Sequence, residues 1–115
     1  MDISHLSLSE IWEEIEKKAH KHASAVESLN ASYEVNITGE EAGTYSVILK
    51  NGEPTITEGK IDNPDCILTI GFKQFKKLLQ GNLNAKAAFM TGKLKVKGNI
   101  GLALKLESIL KQYGF

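Results

Sequence analysis

GKLKVKGNIGLALKLESIL, residues Gly92 to Leu110, sets the terms on which the rest of the chain is read. In Lys93-Leu94-Lys95-Val96-Lys97 basic and apolar residues alternate strictly. Strand side chains alternate faces with a period of two, so Leu94 and Val96 turn inward and the three lysines turn to water. Gly98 and Gly101 bracket Asn99-Ile100. Glycine lets the backbone turn sharply there, and Asn99 suits a helix N-cap, its side-chain oxygen accepting from the first free N–H groups. A helix is therefore expected from about Ile100. At 100° per residue, Leu102, Ala103, Leu106, Ile109 and Leu110 fall on one broad arc and Ile100 and Leu104 on a second, with Glu107 and Lys111 close to or between the two. A helix apolar on two sides in a chain of this size is either central to the core or the wall of an apolar cavity. Periodicity leaves both readings open.

Upstream, Ser7-Leu8-Ser9-Glu10 is a capping box, and Leu8, Ile11, Trp12, Ile15 and Ala19 recur on one helical face opposite Glu13, Lys17 and Lys21. Val26 and Leu29 suggest a short second helical piece ending at Asn30. From Ala31 the period becomes two, with Tyr33, Val35 and Ile37 in one strand and, after Gly39 to Gly43, Tyr45, Val47 and Leu49 in the next. Asn51-Gly52 signals a tight turn into a third strand around Thr55-Ile56-Thr57, where Pro54 is tolerable only at the start or on an edge. Asn63-Pro64-Asp65 breaks the chain before Cys66-Ile67-Leu68-Thr69-Ile70, a nearly continuous apolar run expected near the sheet centre and covered on both faces. Phe72, Phe75, Leu78 and Leu79 then define a helical face closed by Gly81, and Asn84 to Met90 gives a further short helix with Ala85, Ala88 and Phe89 along one side. The expected architecture is α+β: one domain over residues 1–115, with a five-stranded, mostly antiparallel sheet covered by helices on one side.

Fourteen basic residues balance fourteen acidic ones, so no global charge steers the chain toward nucleic acid. The single cysteine, Cys66, lies in an apolar run and reads as a small core residue rather than a nucleophile. Met1-Asp2-Ile3-Ser4-His5 lacks the order of a signal peptide and no apolar run approaches a membrane span, which gives the expectation of a cytoplasmic protein. His20 and His22 sit about 200° apart on their helix and cannot share a metal. A nucleophile beside a base, a carboxylate pair and a metal set are all missing from the sequence at useful spacing, so neither catalysis nor a cofactor is expected. What does recur after Ile70 is apolar surplus: Phe72, Phe75, Leu79, Phe89, Met90, Ile100 and Leu104. Adaptable apolar groups of this kind suit a ligand pocket, and equally a plain core.

The run from Gly92 through Leu106, with Cys66 to Ile70, Phe75 and Asn84 to Phe89 upstream of it, resembles the sterol carrier protein type two family of nonspecific lipid-transfer domains. The resemblance covers nearly the whole chain, and it implies an internal apolar tunnel. It implies further a carrier of fatty acids, fatty acyl-CoA, sterol-like or phospholipid molecules that performs no reaction and meets a membrane transiently. Two rivals stand beside it: an accessory subunit presenting acyl-CoA to a thiolase or other β-oxidation enzyme, and a small acyl-thioester enzyme. Read together with the resemblance, the lipid-binding candidates are Phe72, Phe75, Leu79, Phe89, Met90, Leu94, Val96, Ile100, Leu104 and Tyr113. Peroxisomal members of that family end in a Ser-Lys-Leu type signal; this chain ends Tyr113-Gly114-Phe115, which also leaves Tyr113 and Phe115 where a capping segment would lie. Lys93, Lys95, Lys97 and Asn99 are the head-group candidates, because a basic strand face leading into a helix N-terminus favours an anion. The competing reading is that the lysines guard an edge strand against pairing with another chain.

Overall fold

The first helix, α1 (Leu8–Lys21), begins where its capping box places it: Glu10 N donates to Ser7 Oγ at 3.2 Å, and Ser7 N donates to the Glu10 carboxylate at 2.9 Å. The computed structural model describes residues 2–22, 24 and 29–115. Val26, expected in a second helical piece, lies outside them, and Leu29 packs half-buried against the core. The strands β1 (Ala31–Thr38), β2 (Gly43–Lys50) and β3 (Glu53–Glu58) form an antiparallel meander. Asn51 and Gly52 both hold positive φ, 52° and 79°, as a two-residue hairpin turn demands. There follow β4 (Cys66–Gly71), α2 (Phe72–Leu79), α3 (Ala85–Met90), β5 (Leu94–Gly98) and α4 (Ile100–Tyr113).

The sheet order is β3-β2-β1-β4-β5, with β1 and β4 parallel and the other three pairings antiparallel. The fold is thus α+β, a five-stranded mixed sheet with four helices among the described residues. The central strand is β1, and β4 is second from the edge. Nor is β4 covered equally on both faces. Cys66, Leu68 and Ile70 are buried while Ile67 and Thr69 are only half-buried. The register explains this. Tyr33, Val35 and Ile37 stand in line with Cys66, Leu68 and Ile70 on the face the helices cover, and Ile67 and Thr69 stand with Glu34 and Asn36 on the other.

That outer face is crossed instead by a loop. To pass from the β3 edge to β4 the chain runs over β2 and β1, pinned where Gly59 N donates to Thr44 O at 2.8 Å and Asp65 N to Ser32 O at 2.9 Å. Ser46 Oγ donates to Gly59 O, and the Asp65 carboxylate accepts from Ser32 N at 2.9 Å. Beneath this crossing Ser46 and Glu34 are buried, and Glu34 accepts from Asn36 Nδ2 at 2.9 Å. Buried polar groups here are paired, as the cost of leaving them unpaired requires.

Asn99 caps α4, accepting from Gly101 N at 2.8 Å, and Asn84 caps α3, accepting from Ala87 N at 2.7 Å. Gly98, at φ 99°, makes the turn between β5 and α4, and a Cβ added there would stand 2.7 Å from the Asp65 carbonyl oxygen. Both the dihedral and the space call for glycine.

Candidate functional site

Between the helices and the inner face of the sheet lies an apolar cavity. Its floor is Val35, Val47, Leu49, Leu68, Ile70 and Leu94; its roof includes Ile15, Phe75, Leu78, Ala103, Leu106, Leu110 and Tyr113. The cavity between these walls is small, about 40 Å³. It is a narrow slot whose floor carries no polar group. Apolar walls of this kind recognise shape and hydrocarbon.

Three devices hold the walls in place. Trp12 stacks against Tyr45 at 4.6 Å between ring centroids and against Phe75 at 5.5 Å, locking α1 to β2 and α2. Tyr33 donates its hydroxyl to Leu102 O at 2.9 Å, fastening β1 to α4; burial chiefly, with Cys66 and the Asp65 carboxylate adding, raises its phenol above the ordinary value. At the far end, Tyr113 is buried, stacks with His22 at 5.9 Å, and has its phenol raised by burial. Lys18 Nζ donates to the carbonyls of Tyr113 and Gly114 at 3.2 and 3.1 Å and lies 5.1 Å from the Phe115 ring centre. A cation thus satisfies the last carbonyls of α4 and ties the C-terminal turn to α1.

Glu107 is the one charged residue on the wall among the described residues. Its carboxylate accepts from Ala85 N, the first helical N–H of α3, which has no partner within its own helix. The cost of a carboxylate beside an apolar slot is offset by that bond. Cys66 is fully buried, and burial first, then the neighbouring Asp65 carboxylate, pushes its thiol up, away from the thiolate a nucleophile needs. Among the described residues no His, Cys, Asp and Glu cluster could hold a metal ion, and no helix is long and apolar enough to cross a membrane.

Of the residues singled out in the sequence, Phe75, Leu94 and Tyr113 lie on the cavity wall. Phe72 and Leu79 are buried in the same core but off the wall, and Val96 is half-buried on the inner face. The second stripe of α4 does not face inward. Ile100 and Leu104 are 40% and 36% exposed, and Phe89 and Met90 on α3 are 43% and 75% exposed. The physical reason is that α4 packs on Ala103, Leu106, Ile109, Leu110 and Tyr113, and with that arc turned to the core Ile100 and Leu104 point away from it. The wall is therefore built by the stripe that reads as ordinary packing. Leu104→Asp is accordingly expected to cost about 1 kcal/mol in urea unfolding, from lower helix propensity and lost partial burial, and to leave the cavity intact. Unfolding of that variant would place Leu104 inside.

Lys93, Lys95 and Lys97 are exposed, and by register Lys95 and Lys97 stand on the outer face of an edge strand, across the sheet from the slot. Asn99 is committed to its cap. Most of the wall carried no site prediction from the sequence: the floor residues of β1, β2 and β4, and Ile15, Leu78, Ala103, Leu106, Glu107 and Leu110 among the others. Their signal, a period-two stripe and a helical arc, is shared with any core.

The model of the SCP-2 sterol transfer family matches residues 12–111. The chain is 37% identical over 106 residues to hydroxysteroid dehydrogenase-like protein 2 of Xenopus laevis, covering 91% of this chain and 25% of that protein. It is 32% identical over 108 residues to human sterol carrier protein 2, covering 90% of this chain and 20% of that one. It thus spans a quarter or less of either relative. Among solved structures, the apo form of sterol carrier protein 2 from Yarrowia lipolytica superposes with a TM-score of 0.77 at 28% identity, covering 98% of both chains.

Proposed function

This chain belongs to the SCP-2 sterol transfer family, and on that premise we propose that residues 1–115 act as one lipid-binding and transfer unit, cytoplasmic and without a reaction of its own. The observation that carries the reading is the apolar slot between sheet and helices, into which a lipid tail would insert by spreading Phe75, Leu94, Leu106 and Tyr113 to form a tunnel. Fatty acids, fatty acyl-CoA, sterol-like molecules and phospholipids all offer such apolar bodies. Burying a sixteen-carbon tail contributes on the order of 12 kcal/mol at ~0.8 per methylene, against an association cost of ~4–15 kcal/mol. That balance spans weak to tight binding and selects no one ligand. Exchange with a membrane falls to the exposed surface of α3 and α4, where Phe89, Met90, Ile100 and Leu104 are accessible and the exposed Lys86 and Lys93 stand close by in the chain to meet anionic lipid.

A second reading keeps the same slot and gives it an enzyme to serve: a unit presenting acyl-CoA to a thiolase or another β-oxidation enzyme. It draws support from relatives four or more times longer than the matched segment, among them one named as dehydrogenase-like. The buried, thiol-form Cys66 speaks against a thioester enzyme.

The test is transfer of a fluorescent fatty acid between donor and acceptor vesicles containing anionic lipid. The protein is expected to accelerate transfer, and Met90→Glu to slow it several-fold while leaving equilibrium binding of the probe unchanged. An absence of probe binding by the wild-type protein would overturn the carrier reading; acceleration unaffected by Met90→Glu would move the membrane contact elsewhere.

A further inference from the structure

On the surface between α1 and β3 a groove of about 210 Å³ adjoins the slot, and Trp12 and Ile56 line both. The rest of the groove is Ser9, Glu13, Glu16, Tyr45, Thr57 and Glu58. Three carboxylates and no cation line it among the described residues; Lys17, on the same helix, pairs instead with Glu14 at 3.5 Å. At the boundary between groove and slot stands Trp12, 5% exposed, whose indole Nε1–H is buried with no hydrogen-bond partner. A buried donor left unmade is costly, and an indole nitrogen can only donate. What is missing there is an acceptor.

We propose that the polar end of the bound lipid leaves the slot through this groove, with an uncharged oxygen accepting from Trp12 Nε1, and that Glu13, Glu16 and Glu58 select heads without net negative charge. The inference rests on the carrier reading and narrows its ligand class. A carboxylate or phosphate at the mouth would satisfy the indole but meet three like charges; a hydroxyl or ester oxygen satisfies it without that repulsion. The neutral amphiphiles, alcohols and glycerol esters, are the class that fits. The lysines of β5, the other place for an anionic head, are on the far face of the sheet.

Calorimetric binding at pH 8 and low salt separates the cases, using 1-monopalmitoylglycerol, palmitate and hexadecane below their aggregation limits. The wild type is expected to bind 1-monopalmitoylglycerol about tenfold tighter than palmitate, with the ratio shrinking as salt screens the exposed carboxylates. The triple variant Glu13→Gln, Glu16→Gln, Glu58→Gln should bring the two within about threefold, chiefly by improving palmitate, because three exposed charges are removed and no packing is lost. Trp12→Phe should weaken 1-monopalmitoylglycerol about fivefold more than it weakens hexadecane, the excess being the worth of one hydrogen bond. Equal affinity for both head classes in the wild type, or an unaltered ratio in the triple variant, overturns the proposal while hexadecane binding preserves the carrier reading. Failure of all three probes to bind overturns both.

Discussion

Gly98→Ala is expected to destabilise the protein by about 3 kcal/mol, the sum of a disallowed backbone conformation and a collision with main chain. Gly98 holds φ at 99°, where an L side chain is strained in any surroundings, and its Cβ would stand 2.7 Å from Asp65 O and 3.5 Å from Cys66 Cα. Neither neighbour can rotate away, since Asp65 is held by Ser32 from both its N–H and its carboxylate. Gly59 supplies the comparison, because its φ is 112° but a Cβ there meets nothing within 4 Å. Gly59→Ala should therefore show the conformational cost alone, about 1 kcal/mol. Urea midpoints at constant slope measure both. Equal losses in the two variants would mean that the β5–α4 junction shifts freely, and the clash argument would fail.

The second large effect is on binding. Ala103 is buried on the cavity side of α4, where its methyl leaves room that the slot uses. Ala103→Leu adds three carbons to a cavity of only about 40 Å³. The substitution should cost about 1–3 kcal/mol of stability from overpacking and weaken a fluorescent fatty acid by at least about tenfold, because the tail and the leucine compete for one volume. A marginal protein loses both together, so thermal unfolding is followed on the same samples. Retained affinity in a folded Ala103→Leu protein would show that lipid sits elsewhere.

Much of the architecture was legible because it rests on local chemistry. The capping box at Ser7, the Asn51-Gly52 turn and the Asn99 cap each depend on residues within a few positions, and each forms as the sequence indicates. What local chemistry cannot reach is which side of a helix meets the rest of the chain. Ile100 and Leu104 are apolar, but whether α4 turns them in or out depends on which of its two arcs packs on the core, a tertiary matter. The position of β4 was obscured by the same limit. Its apolar run suggests two covered faces, yet the cover on the outer side is a single loop, and Ile67 remains half-buried there. Leu94 and Phe75 could be named because their faces are unambiguous by period; the β1 and β2 floor gave no sign of being more than core. Glu107 offered a signal that was available and unused, a carboxylate lying between two apolar arcs.

The loop that carries the chain across the outer face from β3 to β4 bears on the order of assembly. The β1–β2–β3 meander joins neighbours in sequence, so its closure entropy is small. The parallel β1–β4 pair must bring Tyr33 beside Cys66 after the whole meander has been traversed, and β5 can add only once β4 is in place. The cavity floor is shared between these two halves, Val35, Val47 and Leu49 from the early one and Leu68, Ile70 and Leu94 from the late one. The apolar face proposed to hold lipid is thus left half-built and open until the last strands dock, and during that interval the growing chain exposes to its surroundings the surface that the carrier reading reserves for a ligand.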